Sequence, residues 1–172
     1  MTAGRTSTQN KQDWNTPIKY VEAIYSFYGR PYLDPCSNMD SIVDAHIEWY
    51  LPTTDGLSET WEYPTIFINP PFGRDMKRKT TIKNWIKKAW ESHCIFDSEI
   101  LVLIPVAVNT RHWKEYIFGK AHICFLSDTR LKFRINGSEE NKGAPMPCAM
   151  IYYGNNFDKF KRVFSEYGYV TN

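Results

Sequence analysis

Residues 99–106, Glu-Ile-Leu-Val-Leu-Ile-Pro-Val, form a continuous aliphatic run with no polar alternation. Such a run is the signature of a central strand covered on both faces, so the chain has to supply apolar helices to two sides of one sheet. Residues 80–93 offer one of them: Ile82, Trp85, Ile86 and Ala89 share a face, with Lys83, Lys87 and Lys88 opposite. Ile18, Val21, Ile24, Tyr25 and Tyr28 recur at helical spacing between Thr16-Pro17, read as N-cap and first helical residue, and a closing Gly29. Trp113, Tyr116 and Ile117 suggest a further helix, and about 157–167 a last one. Strand segments fall at 30–33, 66–68, 121–126, 131–134 and 148–153. Alternating strands and helices predict an α/β fold with a mostly parallel sheet and helices on both faces. Ligands then sit beyond the carboxyl ends of the strands, where Asp34, Asp55 and Asn69 all fall.

The run Thr65-Ile66-Phe67-Ile68 stops at Asn69-Pro70-Pro71-Phe72. Neither proline has an N–H and each fixes φ, so the backbone can neither extend a ladder nor begin an ordinary helix. Pro70 also pushes Asn69 towards an extended conformation. The result is a stiff ledge offering an amide, free carbonyls and an aromatic ring. An exocyclic amine on a planar ring has two hydrogens; the Asn69 side-chain carbonyl and the Pro70 main-chain carbonyl can each accept one. Phe72 can stack on the ring. The plainer alternative is a rigid loop punctuator.

With 172 residues, the chain is expected to be one domain spanning 13–172, with a polar disordered tail at 1–12 and no separate target-recognition domain. No stretch approaches a membrane span, and the N-terminus lacks an apolar signal core, so a cytoplasmic location is expected. Cys36, Cys94, Cys124 and Cys148 are scattered, and His46, His93, His112 and His122 show no ligand spacing, so no metal is expected. A net charge of +2 conceals a basic cluster: Arg74, Lys77, Arg78, Lys79, Lys83, Lys87 and Lys88 against Asp75 alone. A solvated helix face is one reading of such a run; phosphate contact beside the ledge is the other.

Trp14-Asn15-Thr16-Pro17, Leu33-Asp34-Pro35-Cys36-Ser37-Asn38, Asp55-Gly56-Leu57, Asn69-Pro70-Pro71-Phe72, Leu101-Val102-Leu103-Ile104-Pro105 and Arg130-Leu131-Lys132-Phe133 occur in that order. With them the chain resembles the phage-type DNA N-6-adenine methyltransferases, a branch of the S-adenosylmethionine-dependent amino-methyltransferases. The resemblance implies a Rossmann-like methyltransferase fold and a methyl acceptor in double-stranded DNA. It puts Trp14, Thr16 and Pro17 at the cofactor's methionine end, and Asp34, Pro35 and Cys36 on the floor after the first strand. Asp55 would accept from the cofactor's adenine amine. The glycine-rich turn common in methyltransferases is missing after Leu33, and Glu48 is the one nearby acid for the ribose.

The same resemblance implies direct methyl transfer to an adenine amine rotated out of the helix, with Asn69, Pro70, Pro71 and Phe72 forming its pocket. Arg74, Lys77, Arg78 and Lys79 would contact phosphates. Protection of phage DNA from host restriction is the implied role. Asn-Pro-Pro motifs are also similar to those of methyltransferases acting on RNA adenine or a protein glutamine amide. A catalytically inactive nucleic-acid-binding module on the same scaffold is the alternative from another class. The target sequence and oligomeric state are not legible.

Overall fold

The computed structural model describes residues 14–135, 138–139, 144 and 146–171. The expected tail at 1–12, and half of the polar stretch 134–147, lie outside the described residues. In chain order the elements are α1 (Ile18–Tyr28), β1 (Leu33–Asp34), β2 (Ile47–Glu48), β3 (Thr65–Ile68), α2 (Ile82–Phe96) and β4 (Glu99–Pro105). A π-helical turn (Trp113–Ile117), β5 (His122–Leu126), β6 (Arg134–Ile135), β7 (Ser138–Glu139), β8 (Cys148–Tyr153), α3 (Phe157–Phe164) and β9 (Gly168–Thr171) follow.

Seven strands form one sheet in the order β2-β1-β3-β4-β8-β5-β9, with β4, the aliphatic run, in the middle. Its side chains alternate between two cores. Leu101 and Leu103 join Phe67, Met150 and Tyr152 beneath α1 and α3, where Tyr20, Ile24, Phe27, Phe160 and Phe164 are buried. Ile100, Val102 and Ile104 join Ile66, Ile68 and Ile151 against Trp85, Ile86 and Ala89 of α2 and Trp113 and Ile117 of the π-helical turn. This is the period of two expected of strands, with each face covered by helix.

The expectation of a mostly parallel sheet is corrected: the sheet is mixed. β2, β1, β3 and β4 pair in parallel, whereas β4–β8, β8–β5 and β5–β9 are antiparallel. A parallel return needs a crossover element, usually a helix. Among the described residues no helix lies between β5 and β8, so the chain turns at the carboxyl edge and comes back in the opposite sense. α3, which ends at Phe164 and not at about 167, then carries it across to β9 (Gly168–Thr171), a strand that the sequence reading does not include.

Two local boundaries also differ. α1 begins at Ile18, with Pro17 still extended at φ −60° and ψ 147°, so Thr16 does not cap the helix. α2 runs to Phe96, opened by Asn84 Oδ1 accepting the Thr81 N–H at 2.9 Å and closed by left-handed Asp97. Among the described residues, no helix is long and apolar enough to cross a membrane.

Candidate active site

From β1 the chain moves outward to β2, and from β3 it moves the other way to β4. The loops leaving the carboxyl ends of β1 and β3 therefore diverge, and the gap between them is a topological switch point, the usual ligand site of an open α/β sheet. Asp34 ends β1 and Asn69 follows β3, so both border this gap.

Asn69 is fixed by the N-terminal segment. Its Nδ2 donates to the Trp14 carbonyl at 2.7 Å and lies 3.3 Å from Thr16 Oγ1. A main-chain carbonyl only accepts, so the amide nitrogen must face Trp14 and Oδ1 must face away. This explains the hydroxyl that leaves α1 uncapped: Thr16, 2 % exposed, is turned to Asn69. The segment is held in place by Asn15, whose N–H and C=O pair with Arg134 at 2.9 Å each way. Asn38 Nδ2 adds a bond to Asn15 Oδ1 at 2.6 Å. Pro70 is buried and Pro71 half-buried. Phe72 stands edge-on to Trp14 (centroids 6.1 Å, 82°) and to Phe133 (5.4 Å, 79°), while Trp14 and Phe133 stack at 5.2 Å.

A cleft runs along the 35–38 loop in two parts that share Cys36, Ser37 and Asn38. The part beside Asn69, lined also by Trp14, Thr16 and Asp34, has a volume of about 10 Å³. The other, of about 110 Å³, is lined by Pro35, Trp49, Tyr50, Leu51, Asp55, Pro71, Arg78 and Trp85 among others. The structure thus brings together Trp14, Thr16, Asp34, Pro35, Cys36, Asp55, Asn69 and Pro71. Pro17 instead lines a neighbouring groove. Gly56 is demanded by the contact between the two pocket loops: a Cβ there would lie 1.9 Å from the Pro35 carbonyl oxygen.

The electrostatics of the cleft are unusual for so small a volume. Burial raises the Asp34 carboxyl from 3.8 to about 7, opposed by the Cys36 N–H that donates to Oδ1 at 3.1 Å. Burial also pushes the Cys36 thiol well up, although the residue keeps some surface. Asp34 pairs in register with Glu48 on β2, and Glu48 Oε1 is buried with no partner among the described residues. Asp55 Oδ1 accepts from Leu57 N–H at 3.0 Å and from Arg78 Nη1 at 2.7 Å, leaving Oδ2 without a described partner.

The basic cluster divides. Arg78 turns inward to Asp55 and Asp75, both at 2.7 Å. Lys83 pairs with Glu115, Lys87 with Glu91, and Lys88 donates to the Leu57 carbonyl. Arg74, Lys77 and Lys79 stay at the exposed surface without a described ion pair. A second basic group is not singled out by the sequence: Arg130 and Lys132 line a groove of about 280 Å³ with Pro17 and with Lys19, which is paired with Asp128 at 2.6 Å. The signal was the alternation of 130–133, where Leu131 and Phe133 are buried and the two cations exposed. Among the described residues no three His, Cys, Asp or Glu side chains are grouped to hold a metal ion.

No curated protein and no solved structure matches the chain. A family model does, described as DNA N-6-adenine-methyltransferase (Dam) and matching residues 3–171, nearly the whole chain. With an amide-bearing proline ledge at the switch point of its sheet and a match over that length, the chain belongs to the DNA N-6-adenine-methyltransferase (Dam) family, whose general activity is methylation of adenine in DNA.

Proposed function

We propose that the protein transfers the methyl group of S-adenosylmethionine to the exocyclic amine of an adenine rotated out of duplex DNA, at a defined sequence. The orientation of Asn69 carries this reading. With Nδ2 committed to Trp14 and Thr16, Oδ1 is the free acceptor, and the Pro70 carbonyl is the second. Two acceptors on one amine localise its lone pair and fix its direction, so catalysis comes from positioning and pre-arranged dipoles.

The cleft residues suit the cofactor. Asp55 Oδ2 is free to accept an adenine amine, with Trp49 and Trp85 among the side chains lining that part of the cleft. Glu48 lines neither part of the cleft, but its Oε1, buried without a described partner on the strand beside Asp34, is the acid nearest to serve a ribose hydroxyl. Asp34 suits an ammonium group, since a neighbouring cation relieves the cost of ionising a buried carboxylate. When bound, S-adenosylmethionine supplies an electrophilic sulfonium methyl, so the protein needs no nucleophile of its own.

The space beside Asn69 is too small for a base, so entry of adenine requires Trp14, Phe72 and Phe133 to separate, freeing Phe72 to stack on it. Arg74, Lys77 and Lys79 on one side, and Arg130 and Lys132 on the other, are the proposed phosphate contacts, whereas Lys19 is paired with Asp128. Arg78 serves instead to hold Asp55 in place.

The test is incubation of mixed-sequence duplex DNA, structured RNA and a release-factor-like protein with labelled S-adenosylmethionine, followed by sequencing that detects modified adenine. Label in duplex DNA, at adenines within one short motif, is the expected result. Label confined to RNA or protein, or none, contradicts the proposal.

A further inference from the structure

The loop after the ledge is built as a stiff finger. Its base is closed by the Asp75 N–H donating to the Thr80 carbonyl at 2.9 Å. Inside, Asp75 Oδ1 accepts the main-chain N–H groups of Lys77 and Arg78, each at 2.9 Å, and Oδ2 accepts Arg78 Nε at 2.7 Å. These donors favour the ionised carboxylate, holding Asp75 down at about 2. Arg78 then reaches across to Asp55, fastening the finger to the wall of the cleft. Lys79 takes a left-handed φ of 58°, which turns the chain back towards α2.

What this finger presents is odd. Met76 is 73 % exposed, between the outward-facing Lys77 and Lys79 on one side and Arg74 on the other. A single exposed apolar side chain ordinarily needs no explanation. This one stands on a framework that holds its place, inside a basic patch, four residues beyond Phe72. Asp75 and Arg78 are tied into the finger, and Arg74, Lys77 and Lys79 are exposed cations.

Resting on the function proposed above, we propose that Met76 is a wedge that enters the base stack of duplex DNA where the target adenine has left it, while Lys77 and Lys79 grip the flanking phosphates. Rotating a base out forfeits pairing and stacking, and an apolar side chain placed in the gap restores part of the lost contact. Methionine is suited to this, being unbranched, adaptable and polarizable against ring faces. A rigid mount is needed, because a soft loop would fold away instead of pushing.

The experiment compares two random-sequence duplex pools, one fully paired and one with adenines placed opposite abasic sites, using labelled S-adenosylmethionine. An adenine without a pairing partner is already partly released. Met76→Ala is expected to slow methylation of the paired pool on the order of tenfold or more while leaving the abasic pool near the unaltered rate. Met76→Leu is expected to restore most of the loss. An equal effect on both pools, or none on either, overturns the wedge and leaves the methyltransferase reading standing. Failure of the unaltered protein to methylate either pool overturns both.

Discussion

Replacing Asp34 by Asn removes a charge that the fold holds at a cost, and the size of that cost follows from its surroundings. The carboxyl is 3 % exposed, and burial raises it from 3.8 to about 7; Glu48 adds to the rise and the Cys36 N–H opposes it. The folded protein therefore keeps a proton over a range of pH in which the unfolded chain has lost it. Stability from this group is complete below the unfolded value and is lost as pH rises through about 7. A shift of about three units corresponds to roughly 4 kcal/mol in all, of which rather more than half falls between about pH 5 and pH 8. The substituted amide cannot ionise, yet its carbonyl can still accept from the Cys36 N–H. Urea unfolding of both proteins across that range should show Asp34→Asn gaining on the parent as pH rises, by that amount. In the same variant, S-adenosylmethionine affinity should fall, and the parent should release a proton on binding it below about pH 7, measured by calorimetry in buffers of different ionisation heat. Parallel stability curves for the two proteins would refute the reasoning.

Gly56→Ala places a Cβ on the Pro35 carbonyl, so the two pocket loops must part. Loss of roughly 1–3 kcal/mol in stability and a clear drop in cofactor affinity by calorimetry are expected; unchanged affinity would mean the loops are not part of the cofactor site. Neutralising Arg74, Lys77 and Lys79 together should lower the slope of log binding constant against log salt by about 2 to 3 in a DNA-binding titration. The double change Arg130→Ala and Lys132→Ala should lower it by about 2, and a slope left intact would return that groove to ordinary surface.

Much of this architecture can be read from particular residues. The aliphatic run of β4 announces a covered central strand, and Asn69-Pro70 announces where a strand must stop. The reversal of β8 and β9 is not legible, because antiparallel return is signalled only by the lack of a crossover helix, and 134–147 reads only as a polar connection between two strand candidates. The partners of single side chains are hidden for a different reason. Thr16 before Pro17 has every local mark of an N-cap, but a tertiary contact with Asn69 takes its hydroxyl. Arg78 looks like one of a row of phosphate-binding cations until the fold brings Asp55 within 2.7 Å of it. Glu48 was visible as an acid, whereas its lack of a partner emerges only when β2 is laid beside β1.

Single-turnover methylation of duplex DNA by Asn69→Ala, at saturating S-adenosylmethionine and enzyme over DNA, tests the ledge most directly. Oδ1 is lost while the cleft beside Asp55, which Asn69 does not line, is untouched, so the rate should fall roughly 10²- to 10³-fold with a far smaller change in S-adenosylmethionine affinity. A rate equal to that of the parent would mean that Asn69 does not hold the reacting amine.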